Sequence, residues 1–148
     1  MHWKILFIGK PKLDYAKIGV ADYRRRLERF VRLEMEALKE GTQTEEGDRF
    51  IKRSAGSFRI ALDPVGKEMD TDDWVDQVNR WELQSVSSIS FLIGGANGHD
   101  ENLRRRCDAV WSLSQLTMQH ELALLVLLEQ LYRVYSIKRG EPESCRRV

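Results

Sequence analysis

The chain opens on a short continuous apolar run, Trp3-Lys4-Ile5-Leu6-Phe7-Ile8, stopped by Gly9-Lys10-Pro11. A run of that length bounded by turn residues predicts a buried strand. Ala16, Val20, Tyr23, Leu27 and Phe30 then recur at spacings of 4, 3, 4 and 3, which places them on one stripe of a helix. The intervening Arg24, Arg25, Arg26 and Arg29 fall on its solvated faces. Val31, Leu33, Met35 and Ala37 alternate with Arg32, Glu34 and Glu36, a period of two that predicts a second strand. The polar stretch from Lys39 to Gly47 reads as a loop opening a short helix. Phe58 to Asp63 predicts a third strand, ended by the turn Pro64-Val65-Gly66-Lys67. Asp70-Thr71-Asp72-Asp73 has the side-chain oxygens and negative charge of a helix start, and Trp74, Val78 and Trp81 continue that helix. Ile89 to Ile93 is a fourth strand running into Gly94-Gly95-Ala96-Asn97-Gly98. A charged helix over Asp100 to Ala109, a short strand Val110 to Leu113 and a helix from His120 to Tyr135 complete the pattern.

Strands that alternate with helices predict an α/β domain with a mostly parallel sheet and helices on both faces. A length of 148 residues fits a single domain, 1–148. The last helix is apolar nearly all round, interrupted by Glu129 and Gln130. Such a helix needs burial on most faces, and a partner chain is the simplest cover, so a homodimer is expected.

Composition narrows the function classes. Hydrophobic residues make up 42% and charged residues 32%, which excludes a disordered chain. Lys and Arg total 24 against 23 Asp and Glu, so the net charge of +1 does not announce wholesale electrostatic capture of nucleic acid. The charge is nevertheless uneven: Asp63 to Glu82 carries seven acids and two bases, Arg133 onward five bases and two acids. Two cysteines, Cys107 and Cys145, form neither a disulfide framework nor a zinc quartet. No apolar stretch approaches the ~20 residues that span a bilayer, and no signal peptide is visible. A cytoplasmic protein with no metal and no membrane partner is expected.

The Gly94-to-Gly98 segment lies between a strand and a helix, where open α/β sheets bind ligands. Its spacing is neither G-x-G-x-x-G nor a P-loop. A tight turn capped by Asn97-Gly98 competes with a ligand loop on equal terms. Leu113-Ser114-Gln115-Leu116-Thr117-Met118 is a second post-strand loop whose mixed apolar and hydroxyl side chains suit a flat, partly apolar ligand. On composition alone it is an ordinary connection. His120 reads as a capping or packing residue and His99-Asp100 as a solvated helix start. Of Arg104-Arg105-Arg106, successive side chains ~100° apart cannot all face one ligand. Arg133 sits in an apolar helix and needs either Glu129 or an anionic ligand.

Taken in order, Tyr23…Arg26-Leu27, Leu62-Asp63…Gly66-Lys67, Ile93-Gly94-Gly95-Ala96-Asn97-Gly98, Trp111 through His120, Glu129-Gln130-Leu131-Tyr132-Arg133 and Ile137…Gly140-Glu141-Pro142 resemble the RlmH-type family of the SPOUT class over essentially the whole chain. The resemblance implies methylation of a pseudouridine at ring nitrogen 3 in large-subunit ribosomal RNA, recognised mainly on the assembled ribosome. It implies a homodimer with a deep C-terminal trefoil knot, the knot and cofactor region spanning about 58–148. It implies S-adenosylmethionine held by Leu62, Gly94, Gly95, Gly98, Leu113, Ser114, Gln115, Leu116, Thr117 and Met118. The chain departs from the family at two places. The family usually ends in Pro-Tyr-His plus a charged residue, whereas here Pro142 is followed by Glu143-Ser144-Cys145-Arg146-Arg147-Val148, and Leu124 stands where an arginine is usual. Arg133 and Glu143 are the candidates left to handle the nucleoside, and a divergent relative with lost or altered activity is the alternative reading.

Overall fold

A computed structural model describes residues 1–141. Five strands and five helices alternate: β1 His2–Ile8, α1 Asp14–Leu27, β2 Arg32–Leu38, α2 Gln43–Arg53, β3 Phe58–Glu68, α3 Thr71–Leu83, β4 Ser88–Ile93, α4 Glu101–Arg105, β5 Ala109–Ser112 and α5 His120–Lys138. The strands form one sheet in the order β2-β1-β4-β3-β5, and every pairing is parallel. The carboxyl ends of the strands therefore all open on one edge.

The side-chain alternation of β1 sorts two apolar layers. Trp3, Ile5 and Phe7 face a large layer with Val20 and Leu27 of α1, Trp74, Val78 and Trp81 of α3, and Leu124 to Val134 of α5. Leu6 and Ile8 face a smaller layer with Leu38, Phe50 of α2 and Leu103 of α4. Helices thus cover both faces. The large layer is pinned by aromatic rings: Trp3 and Trp74 each stack on Phe91 with centroids 5.7 Å away, and Trp81 stacks on Trp111 at 5.7 Å. Such pairs contribute about 0.5–1.5 kcal/mol each beyond their burial. The Trp3 indole N–H donates to the Tyr135 hydroxyl at 2.9 Å, so neither buried polar group is left open.

Three elements differ from the sequence reading. β3 does not end at Pro64. Local residues there favour a turn, but the chain breaks register between Leu62 and Lys67 and then resumes pairing, so that both residues lie opposite Trp111 of β5. Gly66 makes this irregularity possible, because a Cβ there would stand 2.7 Å from the backbone of Val110 and Trp111. α4 is a single turn and a half. Arg106 and Cys107 donate to the carbonyls of Leu103 and Arg104, three residues back, and Asp108 bonds Arg59, which draws the chain into β5. α1 stops at Leu27, short of Phe30. The helix starts follow their sequence signals: Asp70 caps α3 by accepting from the Asp73 amide at 2.8 Å, and Asp73 returns the bond to the Asp70 amide.

Candidate cofactor site

At the edge where β3, β4 and β5 end, a cavity of about 500 Å³ opens. Three segments make its walls. Leu62, Asp63 and Pro64 come from the irregular middle of β3, the residues from Ile93 to His99 other than Asn97 from the end of β4 and its turn, and Leu113, Ser114, the residues from Leu116 to His120 and Ala123 from the loop before and the first turn of α5. The volume lies within the ~300–1,000 Å³ range of pockets that enclose a small organic ligand.

The turn after β4 is compact. The Gly98 amide donates to the Gly95 carbonyl at 3.0 Å, and Gly98 adopts φ +65°. A Cβ on Gly94 would stand 3.0 Å from the Gly98 backbone, and one on Gly95 3.1 Å from the Ile8 side chain. A side chain at Gly94 would press on backbone and one at Gly95 on the Ile8 side chain, and the bare backbone of both forms cavity surface. His99 then turns inward. Its Nε2 donates to the Leu92 carbonyl at 2.9 Å, and its ring meets Phe50 edge-on at 5.4 Å. Burial holds its pKa below the usual histidine value, so the ring is neutral. The expectation of a solvated His99 is therefore corrected: the turn at Gly98 swings the ring beneath the sheet's end, while Asp100 caps α4 through the Leu103 amide at 2.9 Å. Arg104 donates from Nη1 to the His99 carbonyl at 2.7 Å and reaches Asp63 Oδ2 at 3.3 Å. Of the other two arginines of the triplet, Arg105 pairs with Glu101 and Arg106 with Asp48.

The opposite wall is looser. Ser114 Oγ accepts from the Leu116 amide at 2.9 Å, and Gln115, Leu116 and Thr117 are exposed. α5 begins where Gln119 accepts from the amides of Glu121 and Leu122 at 2.8 and 3.1 Å. Glu121 is buried and gathers the Lys12 and Leu13 amides at 2.6 and 3.1 Å. Those bonds hold its carboxyl below the usual range and tether the loop after β1 to α5. Nothing in the sequence flagged this tether.

Of the residues singled out in the sequence, Leu62, Gly94, Gly95, Gly98, Leu113, Ser114, Leu116, Thr117 and Met118 meet on this one cavity. Gln115 does not. It turns away to bond Glu68, on a separate depression with Asp70 and Asp73. Arg133 lies off the cavity as well, half-buried beside Glu129 Oε1 at 3.3 Å. It stands about 20 Å along α5 from His120 at the usual helical rise. Glu143 lies outside the described residues. Asp63, His99, Gln119 and His120 line the cavity without having been marked as ligand groups. For Asp63 the available signal was its position directly after Leu62 at the end of an apolar strand.

Among the described residues no His, Cys, Asp or Glu cluster could hold a metal ion, and no helix is long and apolar enough to cross a membrane.

Comparison with known proteins places this architecture. Residues 1–142 match a family described as "Predicted SPOUT methyltransferase", and the chain belongs to that family. Membership brings the family's methyl donor, S-adenosylmethionine, as the cofactor. Curated relatives named ribosomal RNA large subunit methyltransferase H match over nearly the full length. One from Thermus thermophilus is 38% identical over 142 residues, covering 96% of this chain and 97% of the relative. One from Deinococcus radiodurans is 36% identical over 142 residues, with 96% and 97% coverage. Among solved structures, a tRNA (m1G37) methyltransferase from Aquifex aeolicus superposes with a TM-score of 0.52 at 15% identity, covering 100% of this chain and 73% of that one, which shows a shared fold.

Proposed function

We propose that the chain methylates ring nitrogen 3 of a pseudouridine in large-subunit ribosomal RNA, with S-adenosylmethionine in the cavity between the glycine turn and the 113–119 loop. The observation that carries this reading is the convergence of bare glycine backbone, apolar side chains and hydroxyls on one pocket at the sheet's carboxyl edge. When bound there, the cofactor supplies an electrophilic methyl group. The backbone of Gly94 and Gly95 gives a flat ligand close approach, and Leu62, Leu113 and Met118 supply apolar contact. Ser114 and Thr117 supply hydrogen-bonding hydroxyls. The chain must also hold the target base in line and take the imide proton from its nitrogen.

Arg133 and Glu143 are the residues we assign to that second task, Arg133 countering the charge that develops on the imide and Glu143 accepting its proton. Because Arg133 is far from the cavity along its own helix, it serves the cavity of a second copy. A homodimer is supported by the apolar groups left open near α5: Tyr15 and Ile18 of α1 and Leu116 are exposed, and Leu122 and Val126 are half-covered. The whole chain then works as one methyltransferase domain, its region from about 58 onward bearing the cofactor and the knot. The substrate is the ribosomal RNA of an assembled subunit, and the protein works in the cytoplasm.

Digesting large-subunit RNA from cells with and without the gene, followed by mass spectrometry, tests the activity. One N3-methylated pseudouridine should disappear in the deletion and return with the wild-type gene. An unchanged profile would sink this reading and favour a relative that has kept the cofactor pocket and lost the reaction.

A further inference from the structure

Among the described residues of the cavity wall, Asp63 is the one carboxylate, and no lysine or arginine lines the wall. Its side chain is only 10% exposed. One oxygen, Oδ1, accepts from the Val65 amide at 3.0 Å, a local turn that fixes the carboxylate's direction. The other, Oδ2, has Arg104 Nη1 at 3.3 Å. That nitrogen gives its shorter bond, 2.7 Å, to the His99 carbonyl, so the arginine is shared and sits behind the wall rather than on it. His99, which also lines the wall, is neutral. The cavity therefore presents one partly countered carboxylate on a wall whose other side chains are apolar, hydroxyl, amide or imidazole. Charges in such settings act over several ångströms because little water screens them.

The two ligands that exchange in a methyltransferase differ in charge at one atom. When a methyl group leaves a sulfonium, the electron pair of the broken S–C bond stays on sulfur, and the cation becomes a neutral thioether. We propose that Asp63 reads this difference: it favours the sulfonium donor over the demethylated product, and so helps the product leave and the next donor enter. The inference rests on the cavity being the cofactor site. It assigns Asp63 a role in ligand discrimination, with Arg104 setting how much of its charge the cavity feels.

Calorimetry with the full chain tests it, using S-adenosylmethionine, S-adenosylhomocysteine and sinefungin, whose protonated amine replaces the sulfonium. Asp63→Asn keeps an oxygen for the Val65 amide and removes the charge. It should weaken the two cationic ligands about tenfold, some 1.4 kcal/mol, and leave the neutral thioether within about twofold. Arg104→Gln, which uncovers Asp63, should widen the preference for the cationic pair. If Asp63 served only to hold the turn, both variants would weaken all three ligands alike, and that result overturns the proposal, as does no change in any of them. Should Asp63→Asn fail to fold, Asp63→Ser, which also keeps a turn acceptor, gives the same ratio. Ala123→Trp, which fills the cavity, separates the two levels of inference. Loss of all three ligands in that variant supports the site, so that a flat Asp63 result then counts against charge reading alone. Undiminished binding by Ala123→Trp removes the site and the proposal together.

Discussion

The two long walls of the cavity are built on opposite plans. The turn after β4 is held from every side: by its own Gly98-to-Gly95 bond, by the His99 ring on the Leu92 carbonyl, by Arg104, and by Gln43 on the Asn97 carbonyl. It also rests on a packed layer of Ile8, Phe50 and Leu103. The 113–119 loop is tied by side chains, by Ser112 to the Ser114 carbonyl, by Ser114 to the Leu116 amide, by Gln115 to Glu68 and by Gln119 to the first amides of α5, while residues 115–117 stay exposed and Leu116 is 79% exposed. A wall with many bonds and buried contacts opens rarely, and one with few opens often. The difference implies a division of labour, in which the glycine turn gives the ligand a fixed surface and the opposite loop settles onto it.

The largest effect should come from disturbing the fixed wall. A Cβ on Gly94 would stand 3.0 Å from the Gly98 carbonyl carbon and 3.1 Å from its Cα, and backbone cannot yield as a side-chain tip can. Gly94→Val should therefore weaken S-adenosylmethionine at least about a hundredfold by calorimetry. Stability should change much less, since the turn lies outside the sheet pairing. Binding within about threefold of wild type would show that the turn is not a rigid surface, and the contrast between the walls would be lost.

How much of this was legible in the sequence follows from the range of the forces involved. Strand and helix periods are local, so five strands, the α/β class and the position of both loops at strand ends could be read directly, with Asp70 and Asp100 as caps. What escaped depends on distant partners. Pro64-Val65-Gly66 reads as a turn until β5 arrives to pair beyond it. His99 reads as solvated until Phe50 and Leu92 enclose it. Gln115 shares the composition of its loop, yet Glu68, remote in sequence, draws it off the cavity. Glu121 looks like an ordinary acid in the first turn of a helix, and only the folded chain brings the Lys12 and Leu13 amides to it.

A smaller effect is expected on the loose wall. If Leu116 folds over the ligand, part of its apolar surface leaves water on binding. Leu116→Ser should then weaken the cofactor by about threefold to tenfold, a fraction of the ~1.5–3 kcal/mol for burying a leucine fully. The free protein's stability should stay within about 0.5 kcal/mol of wild type, as for other exposed positions. Hydrogen exchange sharpens the point: amides of residues 115–118 should slow markedly on saturation with cofactor, while those of residues 94–98 are slow already. Equal protection of both segments in the free protein would contradict the proposed contrast.

The smallest effect is a pH dependence confined to the fixed wall. Burial is the main influence lowering the His99 pKa below its ordinary value of 6.5; the Leu92 carbonyl, Asp63 and Asp100 oppose it, and Arg104 adds to it. The unfolded chain therefore binds a proton at this residue more readily than the folded one. Stability from a neutral His99 is fully present above about pH 6.5 and declines as pH falls below it, by at most about 1.4 kcal/mol per pH unit for one group. His99→Leu removes the titration while keeping an apolar body against Phe50, although it leaves the Leu92 carbonyl without its ring partner. The variant should accordingly start less stable at pH 7.5, and its melting temperature should fall less than that of wild type between pH 7 and 5. Parallel falls would mean that the ring takes its proton without cost, which requires a turn open enough to admit water. The glycine wall would then be as yielding as the loop it faces.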